Sequence, residues 1–101
     1  MRMILTVTMP HEPFNALVRK GDAGPTIRRI LEATRPEAAY FTETHGHRTA
    51  VLVVQVNDAS QIPSLAEPWF LNFQGDCEFR IAMSAEDLAR AGLDELGKTW
   101  G

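Results

Sequence analysis

Arg48-Thr49-Ala50-Val51-Leu52-Val53-Val54-Gln55-Val56 is the stretch on which the fold turns. Its β-branched residues favour a pleated strand. From Ala50 to Val54 every side chain is apolar, so both faces of the strand are apolar, which suits a central strand covered on each side. Immediately upstream, Ala38 to Thr44 has a similar composition, and His45-Gly46-His47 lies between, its glycine suited to a tight reversal. The two runs read as a β-hairpin.

Further upstream, Met3 to Met9 alternates in the manner of a strand. Met3, Leu5, Val7 and Met9 share one face, and Ile4, Thr6 and Thr8 share the other. Pro10-His11-Glu12-Pro13 cannot continue a ladder, because each proline lacks an N–H, and it leads into a helix from about Phe14. Phe14, Leu17 and Val18 form an apolar stripe that Gly21-Asp22-Ala23-Gly24-Pro25 interrupts and Ile27, Ile30 and Leu31 resume, so this helix should be broken. Arg28 and Glu32 stand one turn apart on its wet side, and Arg35-Pro36 ends it.

Downstream of the hairpin, Asn57-Asp58-Ala59-Ser60 supplies caps, with Gln61 three residues after Asp58. A second helix then carries Ile62, Leu65, Trp69, Phe70 and Phe73, and Pro68 is expected to kink or restart it. Cys77 to Met83 is a fourth strand. Ser84-Ala85-Glu86-Asp87 resembles a capping box, opening a short amphipathic helix with Leu88, Ala91 and Leu93 before Gly97 and Trp100, a segment suited to docking on a neighbour.

A strand-helix-strand order that recurs once in each half predicts a single α+β domain over residues 1–101, a ferredoxin-like βαββαβ sandwich with a four-stranded antiparallel sheet. The first and third strands are central, both long helices lie on one face, and the short C-terminal helix is extra. Leu5, Val7, Phe41, Leu52, Val54, Phe79 and Ile81 should pack under the helices. The opposite face carries Ile4, Thr6, Thr8, Tyr40, Thr42, Val51, Val53, Gln55, Glu78, Arg80 and Ala82. So much apolar surface is more than a monomer usually leaves in water, so a homodimer packed sheet against sheet is expected. If the two sheets curve around each other, Thr6, Thr8, Tyr40, Gln55 and Arg80 would line a cavity for a small molecule.

Composition sets the outer limits. The chain has 101 residues, 45% hydrophobic and 23% charged, the balance of a globular protein. A net charge of −3 provides no broad basic surface, so nucleic acid is not an expected partner. Cys77 is the only cysteine and cannot form an intrachain disulfide, and no cysteine–histidine set has zinc-site spacing. The N-terminal apolar stretch is broken by threonines and ended by Pro10, unlike a signal peptide, and no apolar run approaches the roughly 20 residues of a membrane-spanning helix. No membrane partner is expected, and cytoplasmic residence is the default.

Pro36-Glu37-Ala38-Ala39-Tyr40-Phe41-Thr42, Ile62-Pro63-Ser64-Leu65-Ala66-Glu67-Pro68-Trp69-Phe70 and the Met83 to Leu88 segment resemble a group of small bacterial proteins to which no activity attaches. The likeness spans most of the chain. It implies a bacterial ferredoxin-like protein, broadly similar to the dimeric α/β barrel superfamily of muconolactone isomerases and cofactor-free monooxygenases. No catalytic motif transfers residue by residue, and no cofactor is implied.

Three weak catalytic candidates remain. His11 could act as a general base at a cavity mouth, although Glu12 beside it points away in an extended chain. Tyr40 is more often an interface aromatic than an acid. Arg80 could hold a carboxylate through two parallel hydrogen bonds, or pair with Glu78 on the same face. Glu43, His45 and His47 alternate, but Gly46 breaks the alternation and no metal site is assigned. Cys77 has no evident activating neighbour and reads as a packing residue.

Three functions stay open. The first is a homodimer binding a small molecule between its sheets. The second is a cofactor-independent isomerase or monooxygenase of the dimeric barrel type, and the third is a structural or regulatory dimer with no ligand. Fold alone does not choose among them.

Overall fold

Proline and glycine set the boundaries of the elements. A computed structural model covering residues 1–101 has β1 (Arg2–Met9), α1 (His11–Lys20), α2 (Ala23–Thr34), β2 (Ala38–Thr44), β3 (His47–Gln55), α3 (Ile62–Phe73), β4 (Asp76–Ile81), α4 (Ala85–Arg90) and α5 (Leu93–Trp100). Glu12 is extended within the first turn of α1 (φ −108°, ψ 141°), so the regular helix begins at Pro13, a residue whose fixed φ suits that position. The expected break falls at Gly21, whose φ of 76° ends α1 in the left-handed region that glycine enters without strain.

A short 3₁₀ turn, Ala59–Gln61, leads into α3. Asp58 Oδ1 accepts from the Ser60 N–H at 2.9 Å, and Gln61 Oε1 accepts from the Asp58 N–H at 3.1 Å, as the capping residues imply. Pro68 does not divide α3, which runs unbroken from Ile62 to Phe73. One missing hydrogen bond is outweighed by packing, because Leu65, Ala66, Trp69 and Phe73 bury a stripe on both sides of the proline.

The four strands form one antiparallel sheet in the order β2-β3-β1-β4, with β1 and β3 central. On one face Leu5, Val7, Met9, Ala50, Leu52 and Val54 are buried against Phe14, Ile30, Leu65, Trp69 and Phe73 of α1, α2 and α3. The Phe14 and Phe73 rings stack at 4.8 Å, and Trp69 tilts against Phe73 at 5.9 Å. Gly75 carries the chain from α3 back into the sheet. A Cβ at this position would lie 2.8 Å from Val7 Cγ1, so the crossing requires glycine.

Two residues expected under the helices are not covered. Phe41 is 52% exposed and Ile81 is 66% exposed, whereas Phe79 packs on the core as expected. Both lie at the margins of the sheet, Phe41 on the edge strand β2 and Ile81 at the last position of β4, past Cys77 and Phe79, which do pack on the core. Strand alternation gives the correct face for each residue but not how far along the sheet the cover extends.

α4 and α5 form an arm. Ser84 and Asp87 exchange side-chain and backbone hydrogen bonds in the expected capping box, and Gly92, with a φ of 73°, separates the two helices. Neither helix buries a residue. The radius of gyration is 17.0 Å, against about 13 Å for a compact chain of this length, and the longest dimension is 60 Å where the next is 29 Å. Leu93, Leu96 and Trp100 line up at helical spacing along α5 and stand in solvent, with Trp100 84% exposed. No helix is long and apolar enough to cross a membrane.

Candidate functional site

Paired residues in an antiparallel ladder share a face, so the register builds the helix-free surface row by row. Tyr40, Val51, Thr6 and Glu78 form one row across all four strands, and Ala38, Val53, Ile4 and Arg80 form the next. Gln55 pairs with Arg2 beyond the second row, and Thr42, Thr49, Thr8 and Asp76 make a further row on the other side. The expected ligand-binding set, Thr6, Thr8, Tyr40, Gln55 and Arg80, is thus brought to one face.

Ile4, Val51 and Val53 stand outside the core cluster and are half-buried, shielded by their row neighbours without any helix over them. Among the large apolar and aromatic side chains of this face Tyr40 is the most exposed, at 69%. Arg80 Nε lies 3.8 Å from Glu78 Oε1, with both side chains well exposed, a pair that contributes little to stability and leaves most of the guanidinium donors free.

Gln55 is less free than its position suggests. Its Nε2 donates to Glu37 Oε1 at 2.6 Å, and Arg2 Nε donates to Glu37 Oε2 at 3.0 Å. These donors, Gln55 first and Arg2 second, hold the Glu37 carboxyl below its ordinary pKa. The second Nε2 N–H and the carbonyl oxygen of Gln55 are left for another partner.

The three catalytic candidates do not converge within one chain. Arg80 is level with Ile4, while His11 follows the strand past Thr8, so the two are separated by at least four residues of strand, roughly 13 Å. Tyr40 and Arg80 occupy opposite edges, three strand spacings or roughly 14 Å apart. His11 stacks on His47 with ring centroids 4.8 Å apart, whereas the Glu12 carboxylate accepts from the Ala16 N–H at 3.1 Å and meets Arg19 at 3.5 Å. The neighbours His11 and Glu12 are therefore engaged separately.

Glu43 Oε2 accepts from the Gly46 N–H at 2.9 Å, tightening the hairpin, and no three histidine, cysteine or acidic side chains gather at a point that could hold a metal ion. Cys77 is half-buried beneath α3, its Sγ 3.9 Å from the Ala66 carbonyl oxygen. Burial, followed by the charges of Asp76 and Glu67, pushes its pKa up to about 11, so the thiol is protonated and unreactive at neutral pH.

Sequence reading missed Arg48. Its Nη1 donates to Asn15 Oδ1 at 2.8 Å, and its guanidinium carbon lies 4.3 Å from the centre of the Phe14 ring. Nothing local signals these contacts, because the partners are 33 and 34 residues away and meet only when α1 packs on β3. The fold and site define a small α+β protein with a four-stranded antiparallel sheet open on one face. No family model, curated protein or solved structure matches the chain.

Proposed function

We propose that the protein is a ferredoxin-like homodimer, its helix-free sheets face to face, that binds a small molecule between them. The observation that carries this reading is the pair of rows Tyr40-Val51-Thr6-Glu78 and Ala38-Val53-Ile4-Arg80, with Val51, Val53 and Ile4 in the middle, Tyr40 at one edge and Glu78 and Arg80 at the other, and no helix over them. A twofold partner removes the apolar centre from water, and the polar edges supply a rim. The strand order, with β1 and β3 central, supports the ferredoxin-like assignment.

The arm supports the same assembly. Six- and eight-residue helices are marginal in water without packing, and an arm that carries Leu88, Leu93, Leu96 and Trp100 in the open is suited to lie against a second copy. A binding role is favoured over catalysis because His11, Tyr40 and Arg80 stand apart. A filled interface without ligand is the second reading, favoured by the centre of the helix-free face lining none of five concavities on the chain, to whose walls that face contributes only Gln55, Thr42 and Thr49.

Native mass spectrometry of gently purified protein tests both. A dimer mass with a small adduct that is lost in Arg80→Ala is the expected result, and a bare dimer favours the second reading. A monomer at micromolar concentration overturns the assembly itself.

A further inference from the structure

On the other side of the sheet, where α1 and α2 leave the edge strand β2 uncovered, lies a notch of about 280 Å³. We infer that this notch binds a small carboxylate with an apolar body, held by Arg48 and laid against Phe41.

Arg48 stands at the notch as a prepared cation. Asn15 Oδ1 takes one of its N–H groups at 2.8 Å, and the Phe14 ring supports the guanidinium plane from 4.3 Å. A guanidinium has five N–H donors in a rigid fork, so the edge that a carboxylate engages with two parallel bonds is not consumed by Asn15. The expected ionic partner is not used. Glu43 is directly opposite Arg48 in the β2–β3 register, yet its carboxylate turns to the Gly46 N–H, and none of the five ion pairs in the chain includes Arg48. A half-buried cation without a counter-charge, fixed by two side chains of another element, is a receptor for an anion.

The remaining walls select the body of that anion. Met9, Phe14, Ile27 and Phe41 are apolar, Thr42 and Thr49 complete the lining, and Phe41 is 52% exposed, so an aromatic or short aliphatic group laid on its ring would be drawn from water. The volume is at the lower edge of small-molecule sites, which restricts the ligand to something near the size of a single ring. This site is on the helix side of the sheet and does not depend on the proposed contact between sheets.

Benzoate is the probe, with benzamide as its uncharged counterpart of matching shape, each titrated into the protein while amide and arginine side-chain N–H resonances are followed by NMR. Saturable benzoate shifts at Arg48, Phe41 and Ile27 are expected, with benzamide at least about tenfold weaker because it cannot accept the charged pair of bonds. Arg48→Lys should weaken benzoate several-fold, since it retains charge but loses the fork, and Arg48→Gln should weaken it further. Phe41→Ala, at a side chain already half in water, should weaken benzoate several-fold with the spectrum otherwise folded. Equal responses to benzoate and benzamide, benzoate shifts confined to the Thr6 and Val51 face, or no saturation at millimolar benzoate would each overturn the inference.

Discussion

Gln55 Nε2 donates to Glu37 Oε1 at 2.6 Å, a contact that ties the end of β3 to the residue just before β2 and fixes one member of the candidate ligand set. Because it stabilises the carboxylate, the folded pKa of Glu37 lies below its unfolded value. Its contribution is therefore complete above the unfolded value and is lost as pH falls through the folded one. Gln55→Leu should return the Glu37 pKa toward the ordinary carboxylate range and narrow the acid window over which stability falls. Carbon-detected NMR titration of the Glu37 carboxyl reads the shift directly, and an unchanged midpoint would remove Gln55 as its cause.

A charge at the centre of the helix-free face should break the dimer. Val51→Asp places a carboxylate between Tyr40 and Thr6, where a facing sheet would bury it without a partner. An unpaired buried charge costs about 3–5 kcal/mol, enough to weaken association by at least about a hundredfold. Sedimentation equilibrium compares the two proteins. Equal subunit masses at equal concentration would place the interface elsewhere.

The arm carries its own reporter. Trp69 is 1% exposed and Trp100 is 84% exposed, so the difference between native fluorescence and that of Trp100→Phe isolates the arm. As concentration rises through the dimerisation range, Trp100 emission should move to shorter wavelength when α5 leaves water. A solvent-like emission that persists in the dimer would mean that the arm does not pack on the partner.

Neighbours on α3 should differ sharply when truncated. Trp69→Ala and Phe73→Ala remove fully buried rings and should each cost about 3–5 kcal/mol in urea unfolding. Phe70→Ala, at a ring 41% exposed, should cost about 1 kcal/mol or less in the monomer. A large loss at Phe70 would indicate that it is covered by a partner.

Cys77 should be slow toward alkylating agents. A pKa of about 11 in place of 9.0 leaves roughly a hundredfold less thiolate at pH 8, and labelling in the folded state should lag a denatured control by a similar factor. The sign for stability follows from the same shift. The folded chain retains a proton that the unfolded chain releases between pH 9 and 11, so stability declines across that interval, and Cys77→Ala should flatten the decline.

Much of the architecture was legible from local rules. Period-two alternation assigned Met3–Met9 and Ala50–Val54 to their faces, and the observed register places Thr6, Thr8, Tyr40, Gln55 and Arg80 together as that alternation implies. The caps at Asp58 and Ser84 and the break at Gly21 were legible too, since each involves residues a few positions apart. Pro68 does not restart the helix, because a buried stripe on both sides of it, which local reading cannot weigh, holds α3 in one piece. The cover over Phe41 and Ile81 misled for a related reason, as face follows from alternation but helix position follows from packing.

The sequence by itself determined which segments are strands and helices, which side chains share a face, and that one face of the sheet has no helix of its own. Hydrophobic period, capping chemistry and proline geometry act over only a few residues, so they can be read without coordinates. Tertiary structure alone decided that Gln55 is tied to Glu37, that His11 stacks on His47, that Arg48 lies on Phe14 without an acid partner, and that the arm stands away from the body. Each of those depends on where distant segments come to rest against one another, and that is set by the packing of the whole core.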